Sequence, residues 1–227
     1  MKLNHLTEGK LLKRYKRFLA DVELNNGDII TAHCTNTGSM KSCIEIGAPV
    51  LLSHADNPHR KTAYTWEMIK INDRWVGVNT QMANKIAFDL LKKNAIPNLE
   101  NLRELKSEVK FEDSRFDIFG LDGDREVWME VKNVSMKVDE FVLFPDAITT
   151  RGQKHLKTLM RAIDLGHRAV MIYLIQRTDV SLFGAAKDID PDYASLLQKA
   201  HKKGVEIYPV QVKLSPTSIE LFRILNY

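Results

Sequence analysis

The sequence predicts a mixed α/β (α+β) protein with two domains, an antiparallel β-barrel over residues 1–80 and a mixed sheet flanked by helices over residues 81–227. The first 80 residues hold short strand patterns separated by Gly, Pro and Asn, which is typical of small antiparallel barrels. An amphipathic helix follows, with apolar side chains three and four residues apart from Met82 to Leu91. A seven-residue apolar run at 169–175 indicates a strand covered on both faces, as in a parallel sheet.

Composition and charge narrow the class of protein. The chain is 44% hydrophobic and 27% charged, which is ordinary for a folded soluble protein. Its longest apolar run is far below the roughly 20 residues that a membrane span needs. The polar start of the chain does not fit a secretory signal. We therefore expect a cytoplasmic protein without a membrane partner.

The chain has only two cysteines, Cys34 and Cys43. Structural zinc sites use close-spaced pairs of Cys or His, and no such pair occurs here. Two reduced thiols are therefore a better interpretation than a disulfide framework or a zinc site.

The net charge of +4 arises at the N-terminus, where residues 1–17 contain six basic side chains and one acidic one. A basic patch of this kind predicts contact with a polyanion such as DNA. The alternative is an ordinary solvated face of a strand or helix. The basic residues nearest to the predicted barrel are Lys13, Arg14, Lys16 and Arg17.

Five strands are predicted in the N-terminal domain, as in an oligonucleotide-binding (OB) type barrel. The alternation of Phe18, Ala20, Val22 and Leu24 favours a half-buried strand, although the apolar residues of 11–19 also fit a helical period. The predicted strands cover residues 17–24, 29–34, 49–53, 62–71 and 75–78. The polar loop at residues 35–40 is either a phosphate-binding loop or a plain turn.

Barrels of this type bind nucleic acid through a basic groove and stacking aromatic rings. Tyr15, Tyr64 and Trp66 are candidates for stacking, and Arg60 and Lys61 are candidates for phosphate contacts. For each aromatic ring the alternative is a half-buried position in the barrel wall.

The C-terminal domain is predicted to run helix, three strands, helix, strand, helix, strand. Thr149 or Thr150 caps the second helix, and Asp190 with Pro191 at the first helical position starts the third. The predicted segments are the helix at 82–91, strands at 108–111, 115–121 and 127–134, the helix at 151–165, the strand at 169–175, the helix at 191–203 and the strand at 205–214.

The second and third of these strands form a hairpin, joined by a segment with an Asp-Gly turn signal. Along the strand at 127–134, Glu130 and Lys132 point to one face because successive side chains alternate. The hairpin brings Asp117 of the preceding strand beside Glu130. Two carboxylates there predict an Mg²⁺ or Mn²⁺ site, with Lys132 acting on a water or on phosphate charge. The alternative is a cross-strand salt bridge on an exposed sheet face.

The arrangement Asp-x(n)-Glu-x-Lys resembles the PD-(D/E)xK nuclease superfamily. The longer set of segments resembles the sugar fermentation stimulation protein A family, and it comprises residues 33–40, 64–67, 77–80, 114–117, 130–132, 144–147 and 151–156. The resemblance implies a DNA-binding protein with an OB-type N-terminal barrel and a nuclease-like C-terminal domain.

The resemblance also implies roles for individual residues. Asp117, Glu130 and Lys132 stand at the catalytic positions, and Asp117 and Glu130 are the expected metal ligands. Superfamily relatives often have a further upstream acid, for which Glu108 is the candidate. Asp146 follows the Glu-x-Lys motif instead of preceding it, so we interpret it as a loop residue.

Arg151, Lys154 and His155 lie in the first turns of the second predicted helix. A helix N-terminus with basic side chains predicts a phosphate clamp, and the alternative is ordinary surface polarity. The leading hypothesis is a DNA-binding protein with little sequence readout. The other two are an Mg²⁺-dependent nuclease and, from the family name, a non-catalytic regulator of sugar (maltose) metabolism genes.

Overall fold

The computed structural model describes residues 1–3, 5–55, 57 and 59–227. The described chain forms two large sheets and one small one, with three helices. The strands are β1 (Thr7–Tyr15), β2 (Leu19–Leu24), β3 (Ile29–His33), β4 (Pro49–His54), β5 (Tyr64–Ile71), β6 (Arg74–Gly77), β7 (Arg103–Phe111), β8 (Ser114–Asp122), β9 (Arg125–Val134), β10 (Met136–Val138), β11 (Phe141–Phe144), β12 (Arg168–Ile175), β13 (Leu182–Ala185), β14 (Glu206–Leu214) and β15 (Ile219–Ile224). The helices are α1 (Met82–Lys92), α2 (Thr150–Asp164) and α3 (Pro191–Lys203).

The first sheet closes into a five-stranded barrel. Its strand order is β3-β2-β1-β4-β5-β6, and a parallel pairing of β3 with β5 joins the ends of the ring. β6 pairs with β5 outside the ring. The barrel interior is filled by apolar side chains that include Leu11, Val22, Val50 and Trp66. The predicted OB-type barrel is confirmed.

The barrel differs from the prediction at its start. β1 was not predicted as a separate strand, because its exposed positions are mostly basic and only Gly9 and Leu11 are buried along it. Phe18 was assigned to the alternating pattern of the next strand. It lies instead in the β1–β2 turn, where its side chain is 45% exposed.

The C-terminal sheet has the order β15-β14-β12-β9-β8-β7. β9, β12 and β14 are parallel to one another, while β8, β7 and β15 add antiparallel edges. α1 packs on one face of this sheet, and α2 and α3 pack on the other. The predicted mixed sheet flanked by helices is confirmed. β15 and the short strands β10, β11 and β13 were not predicted.

A buried ion pair joins the barrel to the C-terminal sheet. Arg177 is 1% exposed and bonds to both carboxylate oxygens of Asp179, at 2.7 and 2.8 Å. Its Nη1 donates to Ser42 Oγ at 3.0 Å and to the Ser135 carbonyl at 2.7 Å. Burial raises the pKa of Asp179, but the bonds and charge of Arg177 outweigh it and lower the pKa to about 2.

The two cysteines are free and buried. None of the three helices in the described part of the chain has both the length and the hydropathy that crossing a bilayer requires.

Candidate metal and nucleic-acid site

Asp117 lies where two neighbouring strands separate. β8 and β9 pair from Asp122 and Arg125 at the hairpin end as far as Ile118 and Met129. At the next position the Asp117 side chain enters the gap. Its Oδ2 accepts the backbone N–H of Val131 at 2.8 Å, and its Oδ1 accepts the side-chain amide of Asn84 at 2.8 Å. The carboxylate is thereby fixed by both β9 and α1.

Glu130 is 1% exposed and faces α2. Its Oε1 accepts the Lys132 ammonium at 2.5 Å and also contacts His155 Nδ1. Its Oε2 is buried and has no hydrogen-bond partner among the described residues. A buried carboxylate oxygen without a partner is costly, so this atom is suited to accept a cation or a water.

His155 connects the acid to the helix. Because a carboxylate only accepts, His155 Nδ1–H donates to Glu130, and Nε2 is left to accept from Arg151 Nε at 3.4 Å. The Lys132 ammonium lies 3.2 Å from His155 Nδ1. The imidazole and the ammonium together hold one oxygen of Glu130, while the other is buried without a hydrogen-bond partner among the described residues.

The two carboxyl groups have opposite pKa shifts. Burial, followed by the charge of Glu130, raises the pKa of Asp117 to about 6. Burial also raises the pKa of Glu130, but the hydrogen bond from His155 and the charge of Lys132 outweigh it, so the net pKa is lowered. Repulsion between the half-buried Asp117 and the buried Glu130 would be relieved by a bound cation, so the two charges are electrostatically suited to a metal ion.

The donor set fits a hard divalent ion. Mg²⁺ prefers oxygen ligands and keeps several waters, so two carboxylates suffice. Glu108 lines the same cleft of about 720 Å³ as Asp117. The Glu108 side chain is exposed, and its Oε2 lies 3.9 Å from Arg115 Nη1. The described residues contain no group of three Cys, His, Asp or Glu side chains close enough to hold an ion. The charge of Glu130 acts on Asp117, but Glu130 is not among the residues that line this cleft. The sharing of one ion by Asp117 and Glu130, and Glu108 as a further ligand, therefore stay predictions.

Most of the basic residues predicted to contact nucleic acid are exposed. Lys13 is paired with Asp21 at 3.2 Å, and Lys154 is paired with Asp113 at 3.0 Å. Such exposed pairs contribute little to stability and leave the cation accessible to phosphate. The exposed set is Lys13, Lys16, Arg17, Arg60, Lys61, Arg151 and Lys154.

Trp66 contradicts the sequence prediction. None of its surface is exposed, and its indole N–H donates to the Met68 carbonyl at 2.9 Å. Its ring is part of the barrel core, so it is not available to stack on a base. The prediction was wrong because the sequence does not show which aromatic residues of a barrel strand face inward, and in β5 the consecutive residues Thr65 and Trp66 are both buried.

Arg14 and His155 are held by the protein itself. One nitrogen of Arg14 donates to the carbonyls of Arg17, Asn36 and Gly38, at 2.7, 2.9 and 3.0 Å. His155 is 8% exposed and is turned toward Glu130. Both residues thus position other groups in this structure, and their contact with nucleic acid stays a prediction.

Sequence reasoning missed Asn84 as a partner of Asp117 and His155 as a partner of Glu130. The two partners are 33 and 25 residues away from the acids they contact. No local pattern marks such contacts, because they depend on how each helix packs on the sheet.

Comparison with known proteins agrees with this architecture. Residues 12–78 match the family described as the SfsA N-terminal OB domain, and residues 81–218 match the sugar fermentation stimulation protein RE domain. The chain belongs to the SfsA family. The resemblance seen in the sequence is thereby confirmed.

Several SfsA-family relatives are similar over nearly their whole length. A sugar fermentation stimulation protein homolog of Geotalea daltonii is 44% identical, over 93% of this chain and 92% of its own. The homolog of Synechococcus elongatus is 46% identical, over 96% and 94%. The solved structure of Pyrococcus furiosus SfsA in complex with Ca²⁺ superposes with a TM-score of 0.88 at 27% identity, covering 99% of this chain and 96% of the other.

Proposed function

We propose that this SfsA-family protein binds DNA with little dependence on sequence and carries a divalent-metal phosphodiesterase site. The observation that carries the proposal is the pair Asp117 and Glu130, in which one buried carboxylate oxygen has no partner among the described residues. The amine of Lys132 lies 2.5 Å from Glu130 Oε1. Carboxylates can hold a metal ion that polarises a phosphate oxygen, and an adjacent amine can stabilise the negative charge of the phosphate.

Each residue has a definite task in this proposal. Asp117 and Glu130 hold Mg²⁺ or Mn²⁺, which when bound polarises a phosphate oxygen as a Lewis acid. Lys132 holds its ammonium beside the site, where it stabilises negative charge on the phosphate or orients a water. His155 keeps Glu130 in place. The Pyrococcus furiosus relative was solved in complex with Ca²⁺, an ion with the same preference for oxygen ligands, and this supports the choice of cation.

The exposed basic side chains support the binding half of the proposal. DNA binding through phosphate contacts weakens with salt by about 0.9 log units per log unit of salt for each neutralised phosphate. We expect a steep decrease in affinity as salt is raised, with similar affinities for unrelated duplex sequences. An affinity for DNA that does not change with salt would argue against binding through the DNA phosphates.

Cleavage assays test the catalytic half. Purified protein is incubated with single-stranded, duplex and branched DNA and with RNA, in the presence of Mg²⁺ or Mn²⁺. We expect cleavage by the wild type and its loss in Asp117→Ala and Lys132→Ala. Lys106→Ala is the matched control, since this exposed lysine pairs with Glu104 and makes no contact with Asp117, Glu130 or Lys132. Intact substrates throughout, or cleavage by both site variants at the wild-type rate, would refute the catalytic assignment.

The name of the relatives favours a second candidate, a non-catalytic DNA-binding regulator of sugar metabolism genes. Footprinting distinguishes the two candidates. Protection of a defined sequence would support the regulator, and uniform protection of unrelated duplexes would support binding through the backbone.

A further inference from the structure

The turn between β1 and β2 presents a basic and aromatic tip. Lys16, Arg17 and Phe18 form this turn, and all three side chains are exposed. Phe18 is 45% exposed, although it is one of the largest apolar side chains in the barrel. An exposed aromatic ring directly beside two cations is the combination that proteins use to bind the bases and phosphates of a nucleic-acid strand.

The backbone of this tip is strained. Lys16 and Arg17 have positive φ values of 49° and 66°, in the left-handed region that L-residues avoid. Positions with positive φ in turns are usually taken by Gly, Asn or Asp, because these residues adopt the conformation at little cost. The cost at Lys16 and Arg17 is offset in part by Arg14, whose guanidinium donates to the Arg17 carbonyl at 2.7 Å. Lys16 and Arg17 thus occupy backbone positions that Gly or Asn would occupy at lower cost. Such an unfavourable conformation points to a function for the tip.

A continuous series of contacts connects the tip to the candidate metal site. The same nitrogen of Arg14 donates to the carbonyls of Asn36 and Gly38 in the adjacent loop. Gly38 packs so closely on Asp146 that a Cβ at this position would clash with the carboxylate. Asp146 precedes α2, the helix whose His155 contacts Glu130. These contacts hold the tip in a fixed position relative to the start of α2.

We propose that Phe18 stacks on an unpaired nucleobase while Lys16 and Arg17 hold the flanking phosphates. The inference rests on the proposed DNA binding and adds a substrate class, nucleic acid with exposed bases, such as a single strand or a frayed end. In an intact duplex the base faces are already stacked on one another, so Phe18 has no free face to bind. The positive charge around Phe18 fits this partner because every stacked base is accompanied by a phosphate.

Binding assays on the full chain test the proposal. The probes are a short fluorescein-labelled DNA single strand and a blunt duplex, titrated over a range of salt. We expect Phe18→Ala to weaken single-strand binding about tenfold or more, since a stacked base contributes a factor of roughly 5 to 150. The slope of affinity against salt should stay unchanged, because Phe18 carries no charge. Phe18→Trp should restore affinity, and its added fluorescence should be quenched by the single strand.

Phe222→Ala is the matched control, because Phe222 is 48% exposed on β15 in the other domain. We expect it to bind both probes like the wild type, with all variants unfolding at the same temperature. Equal single-strand affinity of Phe18→Ala and the wild type would overturn the inference while leaving the proposed DNA binding in place. A wild type that binds neither probe would overturn both.

Discussion

The imidazole of His155 donates a hydrogen bond to Glu130 and so connects α2 to β9 at the candidate metal site. This bond fixes the orientation of the carboxylate that is expected to bind the ion. Outer partners of metal ligands typically contribute 10- to 100-fold to metal affinity. We therefore expect His155→Ala to weaken Mn²⁺ binding by about that factor, as measured by isothermal titration calorimetry.

His155→Asn tests whether the effect depends on the hydrogen bond. Its side-chain amide can replace the Nδ1–H donor, so this variant should recover part of the affinity. His201→Ala, at an exposed position on α3, should bind Mn²⁺ like the wild type. Unchanged affinity in His155→Ala would show that Glu130 is oriented without the imidazole.

The contact between Gly77 and Gln176 leaves no space for a larger residue. A Cβ on Gly77 would lie 2.8 Å from Gln176 Cβ, and both residues are buried where the barrel meets the C-terminal sheet. Overpacking of this kind costs about 1–3 kcal/mol, so Gly77→Ala should lower the free energy of urea unfolding by that amount. Gly184→Ala is the control, because the nearest atom there is a Leu143 side-chain carbon at 3.2 Å. Equal stability of the two variants would show that Gln176 can move to make room for the added methyl group.

Asp190 holds the starts of two helices with one carboxylate. It accepts the backbone N–H of Tyr193 at 2.8 Å and that of Thr149 at 2.9 Å, and it is 2% exposed. Asp190→Ala removes a helix cap and leaves buried donors unpaired, so we expect a loss of about 2–4 kcal/mol. Asp192→Ala, at an exposed position in the same turn, should cost less than about 1 kcal/mol. Chemical denaturation of both variants decides the comparison.

The ion pair of Asp179 with Arg177 predicts a dependence of stability on pH. Because the pKa of Asp179 is lowered to about 2, the pair stabilises the fold above the ordinary carboxyl pKa of 3.8. This stabilisation is lost as the pH falls from about 4 toward 2. Asp179→Asn should lower the unfolding free energy by about 2–4 kcal/mol at neutral pH, since it leaves Arg177 buried without its anion. The difference from the wild type should shrink by about 1–2 kcal/mol in acid. A constant difference from neutral pH to pH 3 would contradict this account.

Much of the fold could be predicted from the spacing of apolar residues and from helix-capping residues. The helix at α3 begins after Asp190, which accepts from Tyr193, and ends at Gly204 with a φ of 106°. Both signals are local in sequence, which is why they could be predicted. β1 and the exposed position of Phe18 could not be predicted. No usual sequence signature marks a turn in which the backbone of Lys16 and Arg17 is left-handed.

The site was predictable only in part. Alternation along β9 places Glu130 and Lys132 on one face, and the structure shows their bond. Stacking by Trp66 was predicted from residue type alone, and residue type does not show which side chains of a barrel strand face the interior. The contact of Asp117 with Val131 arises because two strands separate, and that separation depends on the whole sheet.

The buried guanidinium of Arg177 has a mechanical consequence. Rotating the barrel away from the sheet would pull Ser42 off this cation and leave it enclosed without that partner, so hinge-like opening between the two halves is disfavoured. The barrel and the C-terminal sheet therefore present one continuous rigid surface, without the hinge closure by which many two-domain proteins enclose a ligand.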